Sequence, residues 1–374
     1  MQAHLVVDAR PLRGSHNGIA RVVAQVLKQL PHHTSARITA VSNREIVTTE
    51  RDARIQWIED KRWSRCPGNL WLSVRVPTLL RQLGATHFLG TQHLLPARKI
   101  KGVHYGVLMH DVVHLKFPQS MHWANRLASA LLFRRSYAMA DSIVAISEST
   151  RADLCGCFWP RDIAVAYPGV VSLPPTAMAP EGATPRGVSD GPRRLLCVGS
   201  LEPRKNLPAL LRAFDHMNRS GHVADLTFCS GAHWQSGPML DFIRDYPGPG
   251  KIEILRAVSD AELARLYAQA HALVFPSLYE GFGLPLLEAV GHTAVIANDI
   301  PVFQEIGRHV EGIEFVDFSA DPATTGRQLR SALERCGSLK LRPTVPPGTF
   351  TWADFTRKIV QNLGLKTNPT MRLS

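Results

Sequence analysis

An α/β fold of two doubly wound domains is what this sequence of 374 residues predicts. Three observations carry it. The chain opens on a short apolar strand, a polar glycine-containing loop and an amphipathic helix, the first unit of a doubly wound sheet. Strand-like and helical runs then alternate, which calls for a parallel sheet covered on both faces. The same pattern restarts after a stretch dominated by proline, glycine, alanine and serine near the middle of the chain.

In order, Leu5-Val6-Val7 forms the first strand and stops at Asp8. A loop with Gly14, Asn17 and Gly18 leads into a helix whose Val22, Val23, Val26, Leu27 and Leu30 share one face. Further strands are expected at 38–41, 86–89, 105–109 and 142–146, with helices at 71–83 and 123–140 between them. After the proline-rich stretch, strands are expected at 195–198, 226–228, 252–255, 272–275 and 294–297. Helices are expected there at 207–217, 261–270 and 284–290. A last amphipathic helix, 352–363, follows Pro343, Pro346 and Pro347. Open sheets of this kind bind ligands at the carboxyl ends of their strands, so a cleft between two such ends is expected.

Composition narrows the function. Hydrophobic residues make up 45% and charged residues 20%, enough for sizeable cores. No apolar run approaches the roughly 18–20 residues that span a bilayer. The opening MQAHLVVDAR lacks the features of a secretory signal. The 6 cysteines are too scattered for a disulfide framework, so a reducing cytoplasm is the expected address. The net charge of +12 is unevenly spread: residues 1–180 hold 22 Lys+Arg against 11 Asp+Glu, and the remainder 21 against 20. The first half should therefore face something anionic.

The segment with the strongest chemical signature is FPSLYEGFGLPLLEAV, residues 275–290. A strand ends at Pro276, and Glu280 stands just beyond it. Gly281 and Gly283 bracket Phe282 in a loop able to adopt positive φ, and Pro285 suits the first turn of a helix that starts at Leu284. Glu288 lies eight residues after Glu280. Amide donors at a helix start suit an anion, while carboxylates suit the hydroxyls of a sugar or ribose. A glutamate pair at this spacing alone reads as ordinary helix-end charge; the intervening GFGLP makes it a site. In a second segment, VGSLEPRKNLPALLRAF, a strand ends at Gly199-Ser200 and Arg204 and Lys205 follow before an Asn-Leu-Pro helix start. Two exposed cations are usually just a solvated face. Beside a helix start in this frame they suit a pyrophosphate.

The Glu280–Glu288 pair resembles the E-x7-E motif of retaining glycosyltransferases of the GT-B fold, in family 4 of that classification. The second segment is similar to the opening of that family's second domain, where Arg and Lys clamp the donor's diphosphate. More loosely, Gly18-Ile19-Ala20-Arg21 resembles the family's glycine-rich turn, with Ala20 where a second glycine is common. Met109-His110-Asp111, followed by Pro118, resembles its HD segment, which implies that His110 touches the donor sugar; His104 and His114 compete for that role. Ser147–Arg151 and Tyr167–Val170 also read like the family's approach to its linker.

The resemblance implies two Rossmann-like domains facing across a cleft. Residues 1–170 would be the acceptor-side domain, 171–192 a linker, 193–350 the nucleotide-sugar-binding domain, and 351–374 a C-terminal helix and tail. It further implies retention of anomeric configuration. Arg204, Lys205, the amides of Gly281, Phe282, Gly283 and Leu284, and the loop at Gly18 would stabilise the departing diphosphate. Glu280 would hold sugar hydroxyls and Glu288 the ribose. No D-x-D pair or metal-ligand cluster is visible, so no cofactor and metal-independent transfer are expected.

The RKN sequence and HD segment look most like bacterial mannosyl- or rhamnosyltransferases of surface-polysaccharide assembly, with GDP-mannose the first choice of donor. The acceptor would be a saccharide or a polyprenyl-diphosphate-linked saccharide. Trp123, Arg126, Leu127, Leu131, Arg134 and Arg135 on one helix suggest an anionic membrane surface on the inner face of the cytoplasmic membrane. Trp57, Trp63 and Trp71 among Arg54, Lys61, Arg62, Arg65 and Arg75 suggest the same. The bland reading of each helix is that it packs on a sheet with its arginines outward. No nucleic-acid recognition motif is present. A nucleotide-sugar epimerase and a non-catalytic assembly subunit are the alternatives; a nicotinamide dehydrogenase lacks its GxGxxG after the first strand.

Overall fold

The computed structural model describes residues 2–14, 18–117, 123–170, 192–230, 237–338 and 343–368. The expected linker at 171–192 lies outside the described residues except for Pro192, as do Asn17 and Pro118. Two compact units result, one of residues 1–169 with 350–374 and one of 170–349.

The first unit runs β1 (His4–Asp8), α1 (Gly18–His33), β2 (Arg37–Ser42), β3 (Ile55–Glu59), α2 (Gly68–Val74), α3 (Val76–Leu83), β4 (His87–Gly90) and β5 (His104–Met109). It continues with α4 (Val113–Lys116), α5 (Trp123–Met139), β6 (Ser142–Ala145), α6 (Glu148–Cys157) and β7 (Ala164–Val165). All strands are parallel, in the order β3-β2-β1-β4-β5-β6-β7. β1 is central, with Leu5 in register with Ile38 on one side and His87 on the other. Its five residues are all buried, as expected of a strand covered on both faces. The apolar face of α1, including Val22, Val23, Val26, Leu27 and Leu30, is buried as the periodicity requires.

The helix expected at 71–83 is broken at Arg75. Pro77 has no N–H to give the carbonyl of Ser73, and that carbonyl instead accepts from Ala97 N at 3.3 Å. Proline therefore starts a second helix rather than continuing the first.

The second unit repeats the plan with β8 (Arg193–Val198), α7 (Leu207–Arg219), β9 (Ala224–Ser230), α8 (Pro238–Arg244), β10 (Ile252–Arg256), α9 (Asp260–Gln269) and β11 (Ala272–Phe275). Then come α10 (Leu284–Glu288), β12 (Ala294–Asn298), α11 (Pro301–Gly307), β13 (Ile313–Val316) and α12 (Pro322–Ser338). The parallel sheet has the order β10-β9-β8-β11-β12-β13. Counted within the unit this is 3-2-1-4-5-6, the Rossmann order, and the first six strands of the other sheet follow it too. Leu195, Phe214, Phe228, Val274, Ile296 and Leu329 lie in its core.

The last helix, α13 (Trp352–Asn362), lies in the expected C-terminal segment 351–374, which groups with the first unit. It buries Trp352, Phe355, Ile359 and Val360 and packs on α1 and β6 of the first unit. Each such side chain contributes roughly 1.5–3 kcal/mol when fully buried. Two glycines make room: a Cβ on Gly106 would overlap Leu363, and one on Gly169 would overlap Trp352. Thr34 Oγ1 also donates to Lys366 O at 3.0 Å. All six cysteines are free thiols.

Candidate active site

In each sheet the strand order reverses once, between β1 and β4 and between β8 and β11. Loops leaving the carboxyl ends of two such strands diverge to opposite faces and leave room for a ligand. In the second unit, those two loops carry the residues singled out above.

β8 ends at Gly199, whose φ of +150° lies outside the common range of L-residues. A 3-10 turn, Pro203–Lys205, follows, and Asn206 in the left-handed conformation starts α7. From the neighbouring strand, β11 passes through Pro276 and Ser277 to Glu280. Leu278 N donates to Arg204 O at 2.8 Å, joining the two loops. This brings Glu280 between both cations: Oε2 accepts from Arg204 Nη1 at 2.8 Å and Oε1 from Lys205 Nζ at 2.5 Å. Arg204 also donates to Tyr279 O at 3.2 Å and, through Nε, to Glu202 Oε2 at 2.8 Å. Ser200 Oγ steadies Glu202 at 2.7 Å. Lys205 Nζ lies 5.1 Å from the centroid of the Phe275 ring, within cation–π range.

Glu280 is buried. Burial favours its protonated form, but the charges of Lys205 and then Arg204, with their hydrogen bonds, outweigh that and hold its pKa below the ordinary 4.5. Ser277 is near enough to favour the carboxylate, although its buried hydroxyl lacks the geometry of a formed hydrogen bond. Beside the cluster lies a small recess, open to solvent and lined by Gly199, Ser200, Lys205, Phe275 and Ser277 among others.

Glu280, Arg204 and Lys205 thus form one ion-paired cluster. Sequence reasoning assigned the carboxylate to sugar hydroxyls and the cations to phosphate, as separate tasks. Both carboxylate oxygens are in fact engaged by the cations, because neighbouring strands deliver all three groups to one point. Glu288 is also buried, at the end of α10, and accepts from Tyr267 Oη at 3.3 Å. The helix is shorter than expected, ending at Glu288.

In the glycine loop, the left-handed residue is Gly283, with φ +114°. A Cβ there would lie 2.8 Å from Phe303 Cε1, so the position demands glycine twice over. Phe282 is buried, and Leu284 is half-buried at the start of α10. Asn298, at the end of β12, was missed by sequence reasoning. Its Nδ2 donates to Ser277 O and its Oδ1 accepts from Phe318 N, each at 3.0 Å. A lone polar residue closing an apolar strand was the available signal.

In the first unit, His110 directly follows β5. It is buried, and its Nε2 lies 2.8 Å from Thr91 O. A carbonyl only accepts, so Nε2 carries the proton and Nδ1 is left as an acceptor. Thr91 Oγ1 donates in turn to Asp8 O at 2.6 Å. Burial keeps the imidazole neutral by lowering its pKa. Of its competitors, His104 begins β5 at the opposite end of the sheet and pairs with Ser142 Oγ at 3.1 Å. His114 packs on Phe133, ring centroids 4.4 Å apart. Gly18 is the first residue of α1 rather than part of a left-handed turn.

The basic–aromatic groups read differently in three dimensions. Trp71 is a core residue whose Nε1 donates to Asp60 Oδ2 at 3.3 Å. Arg75 pairs with Asp60 and Arg54 with Asp52. Lys61, Arg62 and Arg65 remain exposed. On α5, Leu131 and Arg134 are exposed, while Arg135 donates to Leu95 O at 3.3 Å; the side chains of Trp123, Arg126 and Leu127 lie outside the described residues. Among the described residues, no helix is long and apolar enough to cross a membrane, and no cluster of His, Cys, Asp or Glu is placed to hold a metal ion.

Residues 184–338 match the family "Glycosyl transferases group 1". A stretch of 139 residues is 36% identical to the serotype-specific mannosyltransferase WbdA of Escherichia coli, covering 37% of this chain and 17% of that protein. Another, of 112 residues, is 36% identical to the O-antigen chain mannosyltransferase RfbU of Salmonella typhimurium, covering 30% of this chain and 31% of that one. The matches therefore span less than a third of each of these relatives. Among solved structures, WaaG, a glycosyltransferase involved in lipopolysaccharide biosynthesis, superposes with a TM-score of 0.62 at 15% identity, over 96% of this chain and 95% of that one. An α,α-trehalose-phosphate synthase from Burkholderia xenovorans gives 0.64 at 14%, over 96% and 100%. The chain therefore has the GT-B fold and carries, at residues 184–338, a group 1 glycosyl transferase domain.

Proposed function

We propose that the chain is a retaining hexosyltransferase that takes a sugar, mannose first, from a nucleoside-diphosphate donor, GDP-mannose first. The acceptor in this reading is a saccharide, or a saccharide linked to polyprenyl diphosphate, in surface-polysaccharide assembly. The observation that carries it is the buried Glu280–Arg204–Lys205 cluster at the switch point of the second sheet. The mannosyltransferase names of the relatives support the choice of sugar.

In this reaction the bond from C1 of the sugar to a phosphate oxygen breaks, and the acceptor oxygen bonds to C1. The acceptor's proton passes to the departing diphosphate, so no separate nucleophile is required. Negative charge grows on the diphosphate, and fixed cations aimed at it lower the barrier most. Lys205 has three N–H donors and gives one to Glu280, which leaves the others for phosphate oxygens. Glu280 holds both cations in place before the donor arrives. Glu288 and the amides of Gly281–Leu284 are assigned to the ribose and the donor's phosphates. His110, neutral and with Nδ1 as an acceptor, suits a sugar hydroxyl. Arg204 and Lys205 take the part that a divalent cation plays elsewhere, so transfer proceeds without metal. The exposed cations of the first unit are assigned to an anionic membrane surface.

A thermal-shift panel of UDP-, GDP- and dTDP-sugars, with and without EDTA, tests this. A matching donor at 100 times its Kd should stabilise the fold by about 2.7 kcal/mol, with EDTA present. A protein that responds to none of them, or only with a divalent cation added, contradicts the reading. So does hydrolysis-free conversion of the donor to its epimer.

A further inference from the structure

We propose a second anion site, in the first unit, formed by Arg13 and Arg44 and shaped for a phosphate group. It does not rest on the function proposed above, since it uses none of the residues of the second unit. β1, β2 and β3 are parallel neighbours, so the loops after them emerge at one edge of the sheet. Those loops are fastened together. Val47 N donates to Leu12 O at 2.6 Å, and Asn43 Nδ2 donates to Trp63 O at 3.2 Å and to Cys66 O at 2.9 Å.

Three arginines meet in this corner. Arg10 is fully buried and fully met: Nε and Nη2 donate to the two oxygens of Asp8 at 2.8 and 2.7 Å, and Nη1 to Asn69 Oδ1 at 3.1 Å. Asp8 is thereby spent. Arg13 is half-buried, and its Nε donates to Arg10 O at 2.7 Å. Its Nη atoms lie over Gly68, where a Cβ would come 3.1 Å from Nη1 and 3.5 Å from Nη2. Glycine at 68 therefore leaves the space that the guanidinium fills. Arg44 is exposed, and its Nε donates to Ser64 O at 3.1 Å.

Both guanidinium groups are thus fixed by backbone carbonyls, and among the described residues neither has a carboxylate of its own. Burial, then the charges of Arg10 and Arg44, lower the pKa of Arg13, and Asp8 counters them only in part. Loose surface arginines swing into water and need no partner. Two anchored forks with surplus charge are instead preorganised for the oxygens of a phosphate. The same chemistry would accept a soluble phosphate ester or a phospholipid headgroup.

Hydrogen–deuterium exchange on the full chain, with inorganic phosphate as probe, tests the site. Phosphate should slow exchange around residues 10–13 and 42–47. R13Q/R44Q should weaken that response roughly 100-fold, about tenfold for each guanidinium–phosphate interaction removed. G68A, allowed at a position outside the left-handed region, should weaken it by less than about tenfold, since Arg13 need shift only by a few tenths of an ångström. In a second arm, vesicles of phosphatidylcholine with and without phosphatidylglycerol replace phosphate. Binding to the anionic vesicles alone, abolished in R13Q/R44Q, assigns a lipid headgroup; a response to free phosphate assigns a soluble ester. Nucleoside-diphosphate binding should be unchanged in both variants, which reports an intact fold and separates this site from the second unit's. A wild-type chain that responds to neither probe, or a double variant that responds like wild type, overturns the proposal.

Discussion

Replacing Glu280 by glutamine separates the two things its carboxylate does. Glutamine keeps the shape but removes the charge, and its amide offers one acceptor where two cations now donate. If the oxygen faces Lys205 Nζ, the amide NH2 is turned on Arg204 Nη1, donor against donor. Lys205 is 8% exposed and Glu280 8%, so the stranded charge is only slightly relieved by water. Removing one partner of a buried ion pair costs about 3–5 kcal/mol. Because these side chains border an open recess, about 3 kcal/mol is expected for E280Q. A bound diphosphate restores the missing negative charge, so the variant should gain more from it than the wild type does. Tenfold tighter binding would add about 1.4 kcal/mol at saturation. Urea unfolding with and without nucleoside diphosphate measures both terms, and a turnover assay should show activity lost while nucleotide binding persists. An E280Q protein as stable as wild type without ligand, or one stabilised less than wild type by the nucleotide, would refute the assignment.

Three further outcomes follow from the geometry. G283A forces a Cβ into the left-handed region and against Phe303, and should lower stability by about 1–3 kcal/mol in urea unfolding while impairing nucleotide binding. His93 is half-buried with its Nε2 enclosed, and burial holds its pKa at about 3 against an ordinary 6.5. The unfolded chain therefore takes up its proton first, and stability should fall between pH 6.5 and pH 3 by up to about 1.4 kcal/mol per unit. Asparagine also tolerates the positive φ of 62° at this position, so H93N should show a shallower acid slope in unfolding curves at stepped pH. Finally, G106L fills the space that Leu363 occupies beside β5, and should expose the C-terminal segment to limited proteolysis while leaving β8–β13 protected.

Fold class was legible because the inner strands are buried on both faces and read as apolar runs: LVV, LVF and AVIA need no partner to be recognised. Of the edge strands only IEILR was. IQWIE and IEFV mix polar and apolar residues and AV is two residues long; one side of each lacks a neighbour and their burial is partial. α12 escaped notice because PATTGRQLRSALERCGS carries a glycine inside and few apolar residues, and its helicity comes from packing on α7. At the site, the residue types were legible and their pairing was not. Arg204 and Glu280 lie 76 positions apart, and only the adjacency of β8 and β11 makes them neighbours. The docking of α13 was equally non-local, since Gly106 and Gly169 have no local signature that names Leu363 and Trp352 as their partners.

Each unit carries a carboxylate–arginine pair at the carboxyl end of a strand at its switch point, and the two differ in a way that separates structure from function. Asp8 gives both oxygens to one guanidinium, and the pair is sealed, with side chains 0% and 1% exposed. Such a pair closes its own charge and offers a ligand nothing. Glu280 is divided between two cations, one oxygen each, with side-chain exposures of 10% for Lys205 and 16% for Arg204. One carboxylate cannot saturate both an ammonium and a guanidinium, and Lys205, with two N–H donors beyond the one given to Glu280, lines the adjoining recess. The cluster is neutral only by recruiting Glu202, whose side chain is 46% exposed and therefore easily exchanged for a stronger anion. In the function proposed above, a diphosphate entering there would displace a weak, solvated partner and meet cations already held in position by a buried one. That asymmetry between Glu280 and Glu202 would let one cluster be stable without a ligand and still bind an anion.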